Sequence, residues 1–131
     1  MTPKEDAIAL KLKKARALIA EVDIQLQNHF YETAINRLYY SCFHATKALL
    51  LTKDLTPKTH SGVVSNLHLH FVSQNLFDSE YAAFFSRLMQ ERIDDDYGDD
   101  IVTESEDVKE FVEPAKKYLR YIEELIRNRL Y

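Results

Sequence analysis

The chain has 131 residues, a formal net charge of −4, 46% apolar residues and 29% charged ones. That length fits one domain, residues 1–131, able to bury a core without disulfide or metal staples, and the single Cys42 excludes an internal disulfide and points to the cytoplasm. The negative balance disfavours sequence-independent binding of duplex nucleic acid, no apolar run reaches the length of a membrane span, and the start Met1–Asp6 lacks the features of a secretory signal.

With two glycines and three prolines the chain is poor in turn formers, which argues against a many-stranded fold. Thr2-Pro3-Lys4-Glu5 announces the first helix as cap, first-turn proline and capping-box acid. Ile8, Leu12, Ala15, Ile19, Val22 and Leu26 then step by four and three, and the stripe breaks near Gln27-Asn28-His29. A second helix is expected from near Asn28 to about Thr52. Its apolar face is broad enough for the central helix of a bundle, and Asp54-Leu55-Thr56-Pro57 ends it. Thr59 or Ser61 opens a third helix with Val63, Val64, Leu67 and Phe71, and Asn75–Asp78 reads as a connector. Asp78 or Ser79 caps a fourth helix carrying Tyr81, Ala82, Phe84, Phe85, Leu88 and Met89, which stops in the acidic run Asp94–Asp100. Thr103-Glu104-Ser105-Glu106 is a second capping box, and the last helix it opens carries Pro114, which should kink it. The expected fold is all-α, an antiparallel up-and-down bundle of about five helices.

The unusual stretch is Asn36-Arg37-Leu38-Tyr39-Tyr40-Ser41-Cys42-Phe43-His44-Ala45. Arginine, paired tyrosines and histidine are costly beside a core unless each finds a partner. Arg37 and His44, seven residues apart, fall about 20° short of two full turns and so project from nearly one face. Either they pin the core through a polar network, Arg37 pairing with acids of the Asp94–Asp96 segment, or they belong to a site. Tyr39 and Tyr40 diverge by about 100°, so at least one faces the core with its hydroxyl satisfied. His60 precedes a helix start and reads as a cap or local hydrogen-bond partner. No metal or cofactor is expected: Cys42 has no thiolate companion, no histidines stand four apart, and the acidic run lacks the ligand spacing of a calcium loop.

Three segments in order resemble one family: Tyr31–Ala45 with its Arg-x-Tyr-Tyr-x-x-Phe-His-Ala pattern, then Pro57-Lys58-Thr59-His60-Ser61-Gly62, then Arg92-Ile93-Asp94-Asp95-Asp96-Tyr97. The resemblance is to the HEPN family of small prokaryotic helical proteins. It implies a HEPN-like bundle of four or five helices, usually a homodimer, acting with a minimal nucleotidyltransferase in a toxin–antitoxin or defence module. It also implies a possible metal-independent cleavage of RNA by an Arg-x4-His to Arg-x6-His motif, arginine stabilising the phosphate charge and histidine moving protons. At the family's usual motif position, Arg92 is followed by Tyr97 where histidine is expected. A phenol with its reference pKa of about 10 is a poor proton shuttle at neutral pH. Arg37-x6-His44 has the right residue types on another helix. Under the catalytic reading Arg37 and Arg92 bind phosphate, His44 is the acid or base and Tyr97 positions the substrate. Under the alternative, a non-catalytic module binding a partner protein or a nucleotide, Arg37, His44, Arg92 and Tyr97 join Tyr40, His60 and Asp96 in a structural polar network. The family pattern turns Asp96 inward toward an arginine.

Overall fold

A computed structural model describes the backbone of residues 2–97 and 105–130, and the side chains of residues 2–92 and 108–128. Its elements are α1 (Pro3–Ala20), α2 (Val22–Gln27), α3 (Tyr31–Leu51), α4 (His60–Leu67), a π-helical turn (His68–Val72), α5 (Ser79–Tyr97) and α6 (Ser105–Leu130). Among the described residues there is no strand, and the all-α bundle expected from the apolar periodicity is what the chain forms.

The expected start and stop signals operate at most boundaries. Thr2 accepts a hydrogen bond from the Glu5 amide at 3.1 Å, and Thr59 accepts one from the Gly62 amide at 2.9 Å. Asp78, rather than Ser79, caps α5 by accepting from the Glu80 amide at 2.8 Å. The first stripe is less continuous than its spacing suggests. It is interrupted at Glu21, whose amide tightens onto the Leu18 carbonyl at 3.3 Å, although Val22 beyond the break is still fully buried. The central helix begins at Tyr31, later than expected, because Asn28 and His29 belong to the preceding stop.

Among the described residues that stop is one of three built alike. His29, Asp54 and Asn75 have φ of 62°, 60° and 58°, the left-handed region usually left to glycine. At each, two amides turn back onto the helix they end. Phe30 bonds the Gln25 carbonyl and His29 that of Leu26; Leu55 bonds Leu50 and Asp54 bonds Leu51; Leu76 bonds Phe71 and Asn75 bonds Val72. These crossed bonds satisfy carbonyls the helix leaves orphaned. Asn and Asp tolerate such a backbone because a short polar side chain bonds locally. So a chain with two glycines can still turn sharply three times.

Helix α3 is the hub, with twelve fully or nearly fully buried residues from Ala34 to Leu50. Beside it α1 and α2 run antiparallel, as three contacts in reverse order mark out: Arg37 to Glu21, Ser41 Oγ donating to the Ala15 carbonyl at 2.7 Å, and Lys4 Nζ donating to the Thr52 carbonyl at 3.1 Å. On another side α6 supplies Tyr118. Its hydroxyl donates to Thr46 Oγ1 at 2.6 Å, while Thr46 donates to the Cys42 carbonyl at 2.7 Å, so two buried hydroxyls are satisfied in one chain of bonds. Pro114 lies within α6 without ending it. The carbonyl that loses its amide partner belongs to Glu110, an exposed residue, where water can replace the bond. The capping box at 103–106 begins outside the described residues.

Candidate functional site

Three elements converge on the rings of Tyr39 and Tyr40. Helix α3 supplies both tyrosines with Phe43 and His44, the start of α4 supplies His60, and α5 supplies Arg92. The Arg92 guanidinium lies 5.0 Å from the Tyr39 ring centroid and 5.5 Å from that of Tyr40. Stacking of this kind favours arginine, whose planar cation is weakly hydrated and attracted by the ring faces. Tyr39 is fully buried, and its hydroxyl is 2.5 Å from His60 Nδ1. The His60 ring also stacks on Phe43, with centroids 4.5 Å apart. Tyr40, only partly buried, touches His60 at 5.9 Å and His44 at 6.3 Å between centroids, so it separates the two imidazoles while contacting both.

The placement of His60 follows from the local sequence. Thr59 caps α4 through the Gly62 amide, and a Cβ on Gly62 would stand 2.8 Å from Thr59 Oγ1 and 3.2 Å from Pro57 Cβ. Only glycine leaves this cap undisturbed. The Pro57–Gly62 segment is therefore a device for delivering one histidine to the tyrosine corner.

Burial and neighbouring cations favour the neutral form of both imidazoles. Burial, then Lys14, Lys47 and Lys11, hold the pKa of His44 below its ordinary value; burial, then Arg92 and Lys47, do the same for His60. Burial drives the Tyr39 phenol strongly upward, with Arg92 acting in the opposite sense, so it keeps its proton. In the tautomer whose Nδ1 accepts from that phenol, the Nε2 of His60 carries the hydrogen and presents it as a donor. The Cys42 thiol is fully buried, and burial pushes its pKa far up, which leaves it an inert core residue rather than a nucleophile.

These shifts set a pH dependence of stability. A histidine whose folded pKa lies below its unfolded one binds more protons unfolded, so stability falls as pH drops through the unfolded value of about 6.5 and levels off below the folded one. Denaturant midpoints are expected to decrease between pH 7.5 and 5, and to decrease less in His44→Gln and His60→Gln. An identical slope in both variants would assign the effect to other groups.

The sequence-derived candidates are distributed unequally. His44, Tyr40, His60 and Arg92 come together. Arg37 does not join them: its Nε binds Glu21 at 3.2 Å and its Nη1 binds Asn36 at 3.4 Å. Its ion pair among the described residues is with an acid from the first helical hairpin, and the side chains of the Asp94–Asp96 segment expected as its partners lie outside those described. The helical face argument was sound, since both residues look onto the α1–α2 side of α3. Seven residues of rise simply bring different partners within reach, Glu21 at one end and the lysines of α1 at the other. Asp96 and Tyr97 lie on the α5 backbone, with their side chains outside those described. Tyr39 is the member of the tyrosine pair that faces the core, with its hydroxyl satisfied by His60. The three lysines facing His44 were overlooked, although Lys11 and Lys14 share one face of α1 and Lys47 stands one turn past His44. Among the described residues, no three His, Cys, Asp or Glu side chains gather as a metal-holding group, and no helix is long and apolar enough to cross a membrane.

A small all-helical module with an Arg/His/Tyr corner on its central helix is the class this arrangement defines. The HEPN domain model matches residues 9–125, nearly the whole length, and the chain belongs to the HEPN family. It is 34% identical over 128 residues to a UPF0332 protein of Thermotoga maritima, covering 98% of this chain and 97% of that one. Two proteins of Methanocaldococcus jannaschii are also similar. One, named "Putative toxin MJ0605", is 34% identical over 91% of this chain and 92% of its own length; the other, "Putative toxin MJ0142", is 32% identical over 82% and 78%.

Proposed function

We propose that this chain is the toxin-type component of a two-part module and that its tyrosine corner acts on RNA without a metal ion. The observation that carries the reading is the convergence of Arg92, His44 and His60 around the part-buried Tyr40. The names of the two Methanocaldococcus relatives support the toxin role. The resemblance noted in the sequence adds a homodimer and a minimal nucleotidyltransferase as the second component, and the lone Cys42 adds a cytoplasmic setting.

The chemistry assigned to the corner is an internal transesterification. Neutral His44 takes the proton of a ribose 2′-hydroxyl, whose oxygen attacks the adjacent phosphorus. A 2′-O–P bond forms, the P–O5′ bond breaks, and the departing 5′-oxygen gains a proton from water. Arg92 and the Nε2–H of His60 stabilise the charge that builds on the phosphoryl oxygens. Arg37, held by Glu21, contributes to phosphate binding from the flank, and Tyr97 positions the substrate.

A second reading rests on the Tyr39–His60 bond and the stacking of Arg92, which also suit a rigid internal network in a non-catalytic module that binds a partner protein or a nucleotide. An RNA-cleavage assay separates the two. The wild type is expected to degrade single-stranded RNA equally with and without EDTA, leaving 2′,3′-cyclic phosphate ends. His44→Ala is expected to reduce the rate by about 10²–10⁴, the usual range for a proton-transfer group. Undiminished degradation by His44→Ala would remove the catalytic assignment and leave the binding module.

A further inference from the structure

The chain carries a net charge of −4, yet one groove on it is lined by cations. It lies between α1, α3 and the connection from α3 to α4, with a volume of about 540 Å³. Lys11, Lys47 and Lys58 line it together with Leu51, Leu55 and Pro57, and among the described residues no acid contributes to its wall. Among the described residues none of these lysines lies within ion-pair distance of a carboxylate, whereas nearby Lys4 is neutralised by Asp54 at 3.2 Å. Mutual repulsion is visible in the chemistry: burial, then Lys47 and Lys14, depress the pKa of Lys11. A positive field held in place without a counter-charge is unfavourable unless an anion from outside completes it.

The groove is also continuous with the tyrosine corner. Lys47 reaches both, since its Nζ lies 5.3 Å from the Phe43 ring centroid, and Phe43 stacks on His60. From His44 to Leu51 the helix axis rises roughly 10 Å, so the groove begins within a nucleotide or two of the corner. Lysines beside aliphatic surface suit a flexible polyanion with apolar faces between its charges. A duplex, whose bases are stacked inside, offers no such faces.

We infer that the groove lined by Lys11, Lys47 and Lys58 is a binding track for single-stranded RNA, holding the phosphates next to the nucleotide that enters the tyrosine corner. The lysines neutralise successive phosphates, while Leu51, Leu55 and Pro57 meet sugar and base surfaces without reading sequence. The inference rests on the RNA reading of the corner but concerns different residues, so the two can fail separately.

The test measures binding of a short single-stranded 2′-O-methyl oligoribonucleotide, which lacks the attacking hydroxyl and cannot be cleaved, alongside cleavage of the unmodified oligomer. In Lys11→Gln/Lys47→Gln/Lys58→Gln, Kd is expected to rise at least about tenfold, and the slope of log K against log salt to shrink by about 2, from three lost phosphate contacts at ~0.7 each. A control replacing exposed Lys13, Lys109 and Lys117 by Gln should bind as the wild type does. Loss of binding in the groove variant, with unaltered circular dichroism and melting temperature, supports the track. Equal Kd and slope in groove and control variants would overturn it, as would a wild type that binds an acidic peptide in a lysine-dependent way but no RNA. If the groove variant loses binding while His44→Ala cleaves at the wild-type rate, the track stands and the catalytic corner falls. If His44→Ala is inactive and the groove variant binds normally, the corner stands and the track falls.

Discussion

Replacing Arg92 with alanine is expected to lower RNA cleavage by about 10²–10³, the loss typical of removing one group that stabilises developing charge. The guanidinium is fixed against two ring faces, so it can meet a phosphate without first being ordered. Arg92→Lys should recover little activity, because an ammonium keeps the charge but neither stacks as a plane nor offers a two-pronged donor. Stability is expected to change much less than rate, by about 0.5–2 kcal/mol for the lost cation–ring contacts. Single-turnover cleavage with thermal melting of the same preparations checks both numbers. Should Arg92→Lys cleave as fast as wild type, the planar geometry is irrelevant and the phosphate-binding role assigned to Arg92 is wrong. Should rate and melting temperature collapse together, Arg92 is chiefly a structural residue.

The second large effect is on folding. Tyr39→Ala is expected to destabilise the chain by about 3–5 kcal/mol, as for other large aromatics emptied from a core. Tyr39 is fully buried and joins a stack that crosses the bundle: its ring lies 5.9 Å from that of Phe85 at an interplanar angle of 3°, and Phe85 lies 5.6 Å from Tyr118. Against a total stability of roughly 5–15 kcal/mol for a domain of this size, that loss is a large share. Tyr39→Phe keeps the ring and removes only the hydroxyl bonded to His60, and should lose about 0.5–1.5 kcal/mol. Urea denaturation of the pair separates the packing contribution from the hydrogen bond. Equal losses in both variants would mean that the bond to His60, and not the stack, dominates. Tyr39→Phe also frees the His60 ring, so its imidazole NMR signals should broaden or shift while those of His68 stay in place.

Much of this architecture was legible along the chain. The caps at Thr2, Thr59 and Asp78, the broad face of α3 and the shortage of turn formers each act through neighbours in sequence, and such information survives without coordinates. The ordered motifs at Tyr31–Ala45, Pro57–Gly62 and Arg92–Tyr97 were sufficient to point to the family. The site was only partly legible. Spacing on one helix correctly set Arg37 and His44 toward the same neighbour, but it carried no information on what that neighbour would offer each of them. Glu21 lies sixteen residues before Arg37 and reaches it only because the first hairpin turns back along α3. The cation–ring contacts of Arg92 and the groove of lysines likewise join segments that no local pattern links.

By itself the sequence determined the helices and most of their ends, because periodicity and capping are short-range consequences of backbone hydrogen bonding and apolar burial, and its three ordered motifs carried the resemblance to the family. Tertiary structure alone decided that His60 closes onto Tyr39, that Arg37 is drawn off to Glu21, and that Lys11, Lys47 and Lys58 face one groove. The reason is geometric: polar partners are chosen by distance in space once helices pack, and packing is fixed by the whole core rather than by any one stretch of it.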